Sequence, residues 1–340
     1  MGELRFEQVT KQFPGVDHPA VDQCTFTVED GNFVVLLGPS GCGKTTLMKM
    51  VNRLYDPSAG TIFWNGQDIQ QIDATKLRRQ IGYVIQQIGL FPHMTVAQNI
   101  SVVPELLGWD KEQIQARVDE LLALVDLPPE HYRARYPAQL SGGQQQRIGV
   151  ARALAGDPDL ILMDEPFGAL DAITRTSLQD EMLRLQQQLH KTILFVTHDV
   201  EEALRLADQI VIMRRGQIVQ YSSPLEVLSR PADEFVHELV GGDDMVRQLG
   251  LLRVETAMRR LPANFHLNGQ PRIDAGQSLR EGLSLLLRTD APALVVMHRT
   301  KPTGLLTLDD IRNSTESSEI AGAATNGASP PTSVRSNEAA

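Results

Sequence analysis

"FVVLLGPSGCGKTTLMKM", Phe33 to Met50, is the stretch on which the fold turns. An uninterrupted apolar run leads into a glycine-rich segment, and helical patterning starts after Lys44. Such a run is what a strand buried on both faces requires. Gly38, Gly41 and Gly43 let the backbone turn tightly, so that its N–H groups point inward and form an anion-binding concavity. The start of the following helix adds the positive end of its dipole. "GPSGCGKT", Gly38 to Thr45, matches G-x-x-x-x-G-K-[ST] in the strand–loop–helix setting that this pattern needs. Gly38, Pro39, Ser40, Gly41, Cys42, Gly43, Lys44, Thr45 and Thr46 are therefore the candidate nucleotide-binding residues. Lys44 offers a point charge to β- and γ-phosphates, and Thr45 offers a hydroxyl to Mg²⁺.

A second apolar run, "LILMDEP", ends in two carboxylates. Asp164 falls at the carboxyl end of a strand, where ligand sites of α/β sheets lie, and is suited to hold Mg²⁺. Glu165, beside it, is suited to orient or deprotonate an attacking water. "CTFTV" alternates, "EDGN" signals a turn, and "TIFWNGQDI" carries Asn65-Gly66 between short apolar segments, a hairpin pattern. Residues from about Leu4 to Ile69 read mostly as strands, and a more helical region follows from about Val96 to Leu124. Strands return with "LILMD" and "ILFVTH", each flanked by helical segments. Alternation of this kind predicts an α/β fold with a mostly parallel sheet covered by helices.

Composition narrows the class. The 340 residues suit two domains, or one large domain with an appendage. With 32 basic and 42 acidic residues the net charge is −10, which argues against a nucleic-acid partner. Two cysteines, Cys24 and Cys42, make neither a disulfide framework nor a metal cluster, and the simple reading is a reduced cytoplasmic setting. "MGELRFEQVT" lacks the apolar core of a signal peptide, and no stretch approaches the roughly 18–20 apolar residues of a membrane span. If the protein works at a membrane, another chain crosses it.

"LSGGQQQR", Leu140 to Arg147, lies far beyond the first phosphate loop. Ser141 followed by Gln144 fits a helix-capping box, but capping by itself does not ask for Gly142 and Gly143. Those glycines leave bare backbone at a helix N-terminus, a second anion site. "GPSGCGKT", Gln86 in "VIQQ", "LSGGQQQR", "LILMDEP", "GALD" and His198 in "VTHD" occur in this order. Together they resemble the nucleotide-binding subunit of an ATP-binding cassette (ABC) transporter, over roughly Leu4 to Val240. The resemblance implies a P-loop NTPase cassette with a mixed-sheet core and a helical subdomain. It implies ATP and Mg²⁺ as ligands and a head-to-tail homodimer that sandwiches two ATPs. Ser141, Gly142, Gly143 and Gln144 would then cap the γ-phosphate held by the partner chain. Gln86 would sense Mg²⁺ and water, Asp171 would lie at the dimer interface, His198 would contact the γ-phosphate, and Phe13 would stack on adenine. "IGLFPHMTVAQNI" would form part of the surface that grips a membrane permease.

One cassette without a membrane span suits importers, whose permeases and external solute-binding proteins are separate chains. The cassette would sit peripherally on the cytoplasmic face of the inner membrane. "LLGPSGCGKTTLMKMVNRLYDPSAGTIFWNGQDI" and "ELVGGDDMVRQLGLL" resemble importers of quaternary amine osmoprotectants: glycine betaine, choline and carnitine. Importers of other organic solutes, such as amino acids or sulfonates, share the cassette. A soluble ABC ATPase outside transport is a further alternative.

The composition changes around Gly241-Gly242-Asp243-Asp244. "SLREGLSLLL", "PALVVM" and "TGLLTLDDI" read as helix, strand, strand, helix, a small α+β module. "GLLTLDDI" resembles the closing motif of a CBS domain, with Thr307 and Asp310 where that family contacts phosphate and ribose. Thr307 is equally placed to be an ordinary helix N-cap. The expected organisation is a cassette over 1–240, a linker and single CBS-like module over 241–313, and a disordered tail over 314–340.

Overall fold

The computed structural model describes residues 2–85, 89–168, 170–241, 245–261 and 270–314. Of the tail expected over 314–340 only Ser314 is described, and it is helical; the rest of it and the Gly242–Asp244 segment lie outside the described residues. Two compact units meet between Val227 and Leu228, before the change of character that the sequence shows at Gly241. Arg247 Nη1 donates to the Val240 carbonyl at 2.6 Å and so ties the Glu234–Val240 helix to the chain that follows it.

The first unit holds two sheets. Strands β1 (Leu4–Lys11), β2 (Val21–Val28), β3 (Phe33–Leu37), β4 (Ala59–Trp64), β5 (Gln67–Asp68), β6 (Ile81–Val84), β7 (Leu160–Asp164), β8 (Thr192–Thr197), β9 (Gln209–Arg214) and β10 (Gln217–Ser222) follow in chain order. The smaller sheet is antiparallel, in the order β2-β1-β4-β5. Its β4–β5 turn is the expected Asn65-Gly66 hairpin, with both residues at positive φ (52° and 76°). The larger sheet has the order β10-β9-β3-β8-β7-β6, parallel from β9 to β6. β3 lies between β8 and β9 and is buried along its whole length, as its unbroken apolar run demands.

One core joins the two sheets. Leu4, Phe6 and Ile62 of the small sheet share it with Val34, Leu162 and Leu194 of the large one. The Lys44–Val51 helix enters that core with Leu47, Met48, Met50 and Val51. The glycine-rich loop before that helix is thereby anchored to the shared core at its helical end. The helices Val96–Leu106, Lys111–Leu124 and Gly142–Leu154 pack on one another as the expected helical region. Each starts with a reciprocal capping box: Thr95 with Gln98, Asp110 with Gln113, Ser141 with Gln144.

The second unit contains a sheet of order β11-β14-β13-β12, formed by β11 (Arg259–Arg260), β12 (Arg272–Asp274), β13 (Leu294–His298) and β14 (Lys301–Leu306). β12 and β13 are parallel and the other pairs antiparallel. The Leu279–Thr289 helix packs over the sheet: a Cβ on Gly282 would lie 2.7 Å from Leu306 Cδ2, so this helix approaches as closely as glycine permits. Leu249, Val254, Ile273, Leu286 and Val296 fill a core of its own. A last helix spans residues 308–314. Among the described residues no helix is long and apolar enough to cross a membrane.

Candidate active site

Three neighbouring parallel strands end together. Leu37 of β3 is level with Thr197 of β8, and Asp164 of β7 is level with Val196 of β8. The residues that follow these strands, Gly38, Glu165 and His198, therefore emerge at one edge of the sheet, where α/β sheets bind ligands. This register brings together three motifs that are far apart in sequence.

Two positions of the loop after β3 can be built only with glycine. A Cβ on Gly38 would lie 2.3 Å from the Met213 carbonyl, and one on Gly43 would lie 2.2 Å from the Ala20 carbonyl. Gly43 also has φ 108° and forms the N-terminal boundary of the Lys44–Val51 helix. Pro39, Ser40 and Gly41 are exposed, while Lys44 is 5% exposed. The Lys44 ammonium lies inside the loop and donates to the carbonyls of Gly38 (2.7 Å) and Pro39 (3.0 Å). Cys42 is buried beneath, with its Sγ 3.8 Å from Lys44 Nζ, and its carbonyl accepts from Gly216 N at 2.9 Å.

Thr45 Oγ1 donates to Asp164 Oδ1 at 2.9 Å, so two of the three residues expected at Mg²⁺, the third being Gln86, touch. Burial pushes the Asp164 carboxyl above its ordinary range, and the adjacent Glu165 charge adds to this; the Thr45 hydrogen bond, Lys49 and Lys44 pull the other way. Glu165 sits at φ 43°, a left-handed backbone for a non-glycine residue, and its N–H donates to the Val196 carbonyl at 2.9 Å. Its Oε1 is 3.2 Å from His198 Nδ1. The His198 side chain is 56% exposed and that of Glu165 is 20% exposed, which leaves the pair open to a ligand arriving at the sheet edge.

Ser141 starts the Gly142–Leu154 helix, and its capping box with Gln144 is formed in both directions (3.0 and 3.3 Å). Gln144 Nε2 also donates to the Tyr132 hydroxyl at 3.1 Å. Gly142 has open space, with Leu170 Cδ2 at 4.0 Å from its would-be Cβ. Gly143 differs. A Cβ there would lie 2.5 Å from Thr174 Cγ2, so this glycine has a local packing reason that sequence reading did not supply. Asp171 caps the Ala172–Leu189 helix through the N–H groups of Ile173 (3.2 Å) and Thr174 (3.1 Å). Phe13, in the loop after β1, packs edge-on against Tyr55 at 5.3 Å. Gln86 lies outside the described residues.

The ABC transporter family model matches residues 21–168. The chain is 52% identical over 297 residues to the glycine betaine/carnitine/choline transport ATP-binding protein OpuCA of Bacillus subtilis, covering 87% of this chain and 76% of that one. The chain belongs to the ATP-binding subunits of ABC transporters. It is also 47% identical to the osmoprotectant import ATP-binding protein OsmV of Salmonella typhimurium, over 91% of this chain and 80% of that one. A solved ATP-binding cassette, a dimer in a post-hydrolysis state with ADP and Pi, superposes with a TM-score of 0.59 at 31% identity. It matches 65% of this chain and 98% of its own. The expected cassette fold of sheets flanked by helices is that of its structural neighbours.

Several polar residues of this ABC subunit were not visible as site residues in the sequence. Asn99, fully buried, accepts from Phe91 N (2.8 Å) and donates to the carbonyls of Phe91, Met94 and Thr95, which pins the "LFPHMT" segment to the Val96–Leu106 helix. Arg147 Nη2, at the end of the signature stretch, meets buried Glu181 Oε2 at 3.2 Å. Arg175, Gln179 and Glu202 stand behind His198.

Proposed function

We propose that this chain is the ATP-hydrolysing subunit of an importer of quaternary amine osmoprotectants of the glycine betaine, choline and carnitine type. The observation that carries the substrate class is the identity, 52% and 47% over most of the chain, with relatives named for those solutes.

ATP enters as substrate. Its phosphates meet the inward N–H groups of Gly38–Thr45, and Lys44 exchanges the carbonyls of Gly38 and Pro39 for the β- and γ-phosphates. Phe13, supported edge-on by Tyr55, stacks on adenine. Thr45 Oγ1 and Asp164 Oδ1, 2.9 Å apart, are hard oxygen donors that fit Mg²⁺. When bound, the ion neutralises charge on the β- and γ-phosphate oxygens. Glu165 accepts a proton from the water as that water bonds to the γ-phosphorus and the bridge to ADP breaks. His198, 3.2 Å from Glu165, holds the γ-phosphate, and Gln86 senses Mg²⁺ and the attacking water.

A head-to-tail homodimer completes each site, with Ser141, Gly142, Gly143 and Gln144 of one copy on the γ-phosphate of the other and Asp171 at the interface. Two features support this. Gly142 is open and Ser141 exposed at a helix N-terminus. Ile173, two residues past Asp171, is 85% exposed, an apolar side chain that an interface would cover. The segment around Phe91, itself 40% exposed and held by Asn99, meets the membrane permease. An external solute-binding protein acts through that permease, and the cassette sits on the cytoplasmic face of the membrane.

The stretch over 241–313 is a linker and a single CBS-like module. The test is uptake of labelled betaine and choline by vesicles holding the chain with its permease and binding protein. ATP-dependent uptake of either supports the substrate class; ATPase activity without uptake of any quaternary amine overturns it.

A further inference from the structure

His198 stands between two residues that are both anchored to one face of the Ala172–Leu189 helix. On one side, Asp199 Oδ2 is 3.5 Å from Arg175 Nη1. On the other, Thr197 Oγ1 donates to Glu202 Oε2 at 2.7 Å, and Glu202 Oε1 accepts from Gln179 Nε2 at 3.5 Å. Asp199 N closes the ring by donating to Thr197 Oγ1 at 3.0 Å. Arg175 and Gln179 are four residues apart, so one helix face presents both. Arg175 Nη2 also donates to the Leu170 carbonyl at 3.2 Å, immediately before Asp171. A guanidinium is suited to this because its planar fork holds two acceptors in a fixed relation. Glu165, Arg175, Thr197, His198 and Glu202 all line one small cavity.

Holding a helix to a sheet does not need this chemistry. Leu178, Met182 and Leu185 of the same helix are already buried. Thr197, Gln179 and Glu202 are buried as well, and burial pushes the Glu202 carboxyl above its ordinary range. A polar network in such a place costs desolvation and is fully effective only when every member is satisfied, which makes it sensitive to small displacements.

We propose that Arg175 and Gln179 are positioning residues that carry movement of the Leu170–Asp171 segment to His198. The inference rests on the reading that Asp171 meets a second, ATP-bound copy of this chain. Contact made there would shift Arg175 and, through Asp199 and the Glu202–Thr197 bond, set the backbone on both sides of His198. Each chain would thus report engagement of its partner to its own γ-phosphate contact.

Amide exchange of the full-length protein, with and without Mg²⁺ and ATP, tests this directly. In the wild type, ATP slows exchange over both residues 141–147 and residues 198–202. In Arg175→Gln, and separately in Gln179→Met, the slowing over 141–147 persists while that over 198–202 shrinks by about tenfold. In steady state, kcat falls about tenfold while KM for ATP changes less than about twofold. Undiminished slowing over 198–202 in both variants overturns the proposal. So does loss of slowing over 141–147 as well, because the two residues would then act on dimer formation rather than on His198. No ATP-dependent slowing anywhere in the wild type overturns the dimer reading beneath it.

Discussion

Thr45 Oγ1 and Asp164 Oδ1, 119 residues apart in sequence, are joined by a 2.9 Å hydrogen bond at the centre of the site. The carboxylate at one end is buried, and burial raises its pKa. A carboxyl raised in the folded state favours folding at low pH, and that contribution is lost as pH rises through the folded value. Near neutral pH the Asp164 charge is therefore a destabilising feature of the ligand-free protein. Asp164→Asn keeps an acceptor for Thr45 and removes the charge. It is expected to raise the Tm of the ligand-free protein by about 2–4 °C, the shift that about 1 kcal/mol gives a domain of this size. The gain should shrink as pH falls through the raised value. Added Mg²⁺ and ATP should stabilise the variant less than the wild type. Calorimetry between pH 4 and 8 checks both, and a lower Tm at neutral pH would contradict the account.

Glu165 sits at φ 43° with its N–H on the Val196 carbonyl, so a substitution that changes side-chain size tests structure and chemistry together. Glu165→Gln separates them, because the amide keeps size and reach. Turnover should fall by about 10²- to 10⁴-fold, the range for loss of a general base. ATP affinity should hold, and a closed dimer should accumulate in ATP. Phosphate release and size-exclusion chromatography read the two results. Release at the wild-type rate would remove Glu165 from the chemistry.

The two glycines of the signature stretch should behave differently. Gly142 has room for a side chain, and a carboxylate at a helix N-terminus is electrostatically welcome there, so Gly142→Asp should fold with an unchanged Tm. It should bind ATP as a monomer and fail to dimerise, since its charge would oppose the partner's γ-phosphate. Gly143→Ala should instead cost about 1–3 kcal/mol of stability, as overpacking against Thr174 typically does. Thr174→Ser removes the methyl in question and should restore most of the loss. Additive losses in the double variant would mean that the 2.5 Å approach is not what makes Gly143 necessary.

How much of this could be read beforehand follows from where the information lies. The phosphate loop, Asp164, Glu165 and His198 each close a contiguous apolar run, so sequence shows them. Their convergence depends on the register of β3, β8 and β7, and strand order is a property of the sheet rather than of any one segment. The clamp behind His198 was hidden for a different reason. In "TRTSLQDEM", Arg175 and Gln179 look like members of a solvated face, and only the packing of the helix turns Gln179 inward. The constraint on Gly143 was hidden likewise, because the atom it must avoid belongs to a helix that starts beyond β7.

Thr307 and Asp310 give the last prediction. Asp310 is buried, and its carboxylate accepts from Thr307 N (3.0 Å) and Thr307 Oγ1 (2.7 Å) and pairs with Arg259 Nε. Asp310 N donates back to Thr307 Oγ1 at 3.3 Å. This is a capping box at the start of the 308–314 helix, reinforced by an arginine. The polar atoms that the CBS resemblance would assign to phosphate and ribose are engaged with one another. Thr307→Ala should therefore cost the second unit about 1 kcal/mol, the usual loss of a cap. Asp310→Ala should cost more, because it removes both acceptor contacts to Thr307 and the ion pair with Arg259 at once. Amide exchange over residues 308–314 should quicken in both variants, while ATPase activity of the cassette stays at the wild-type rate. An adenine nucleotide that protected residues 303–314 in the wild type and not in Asp310→Ala would show instead that the pair opens to bind a ligand.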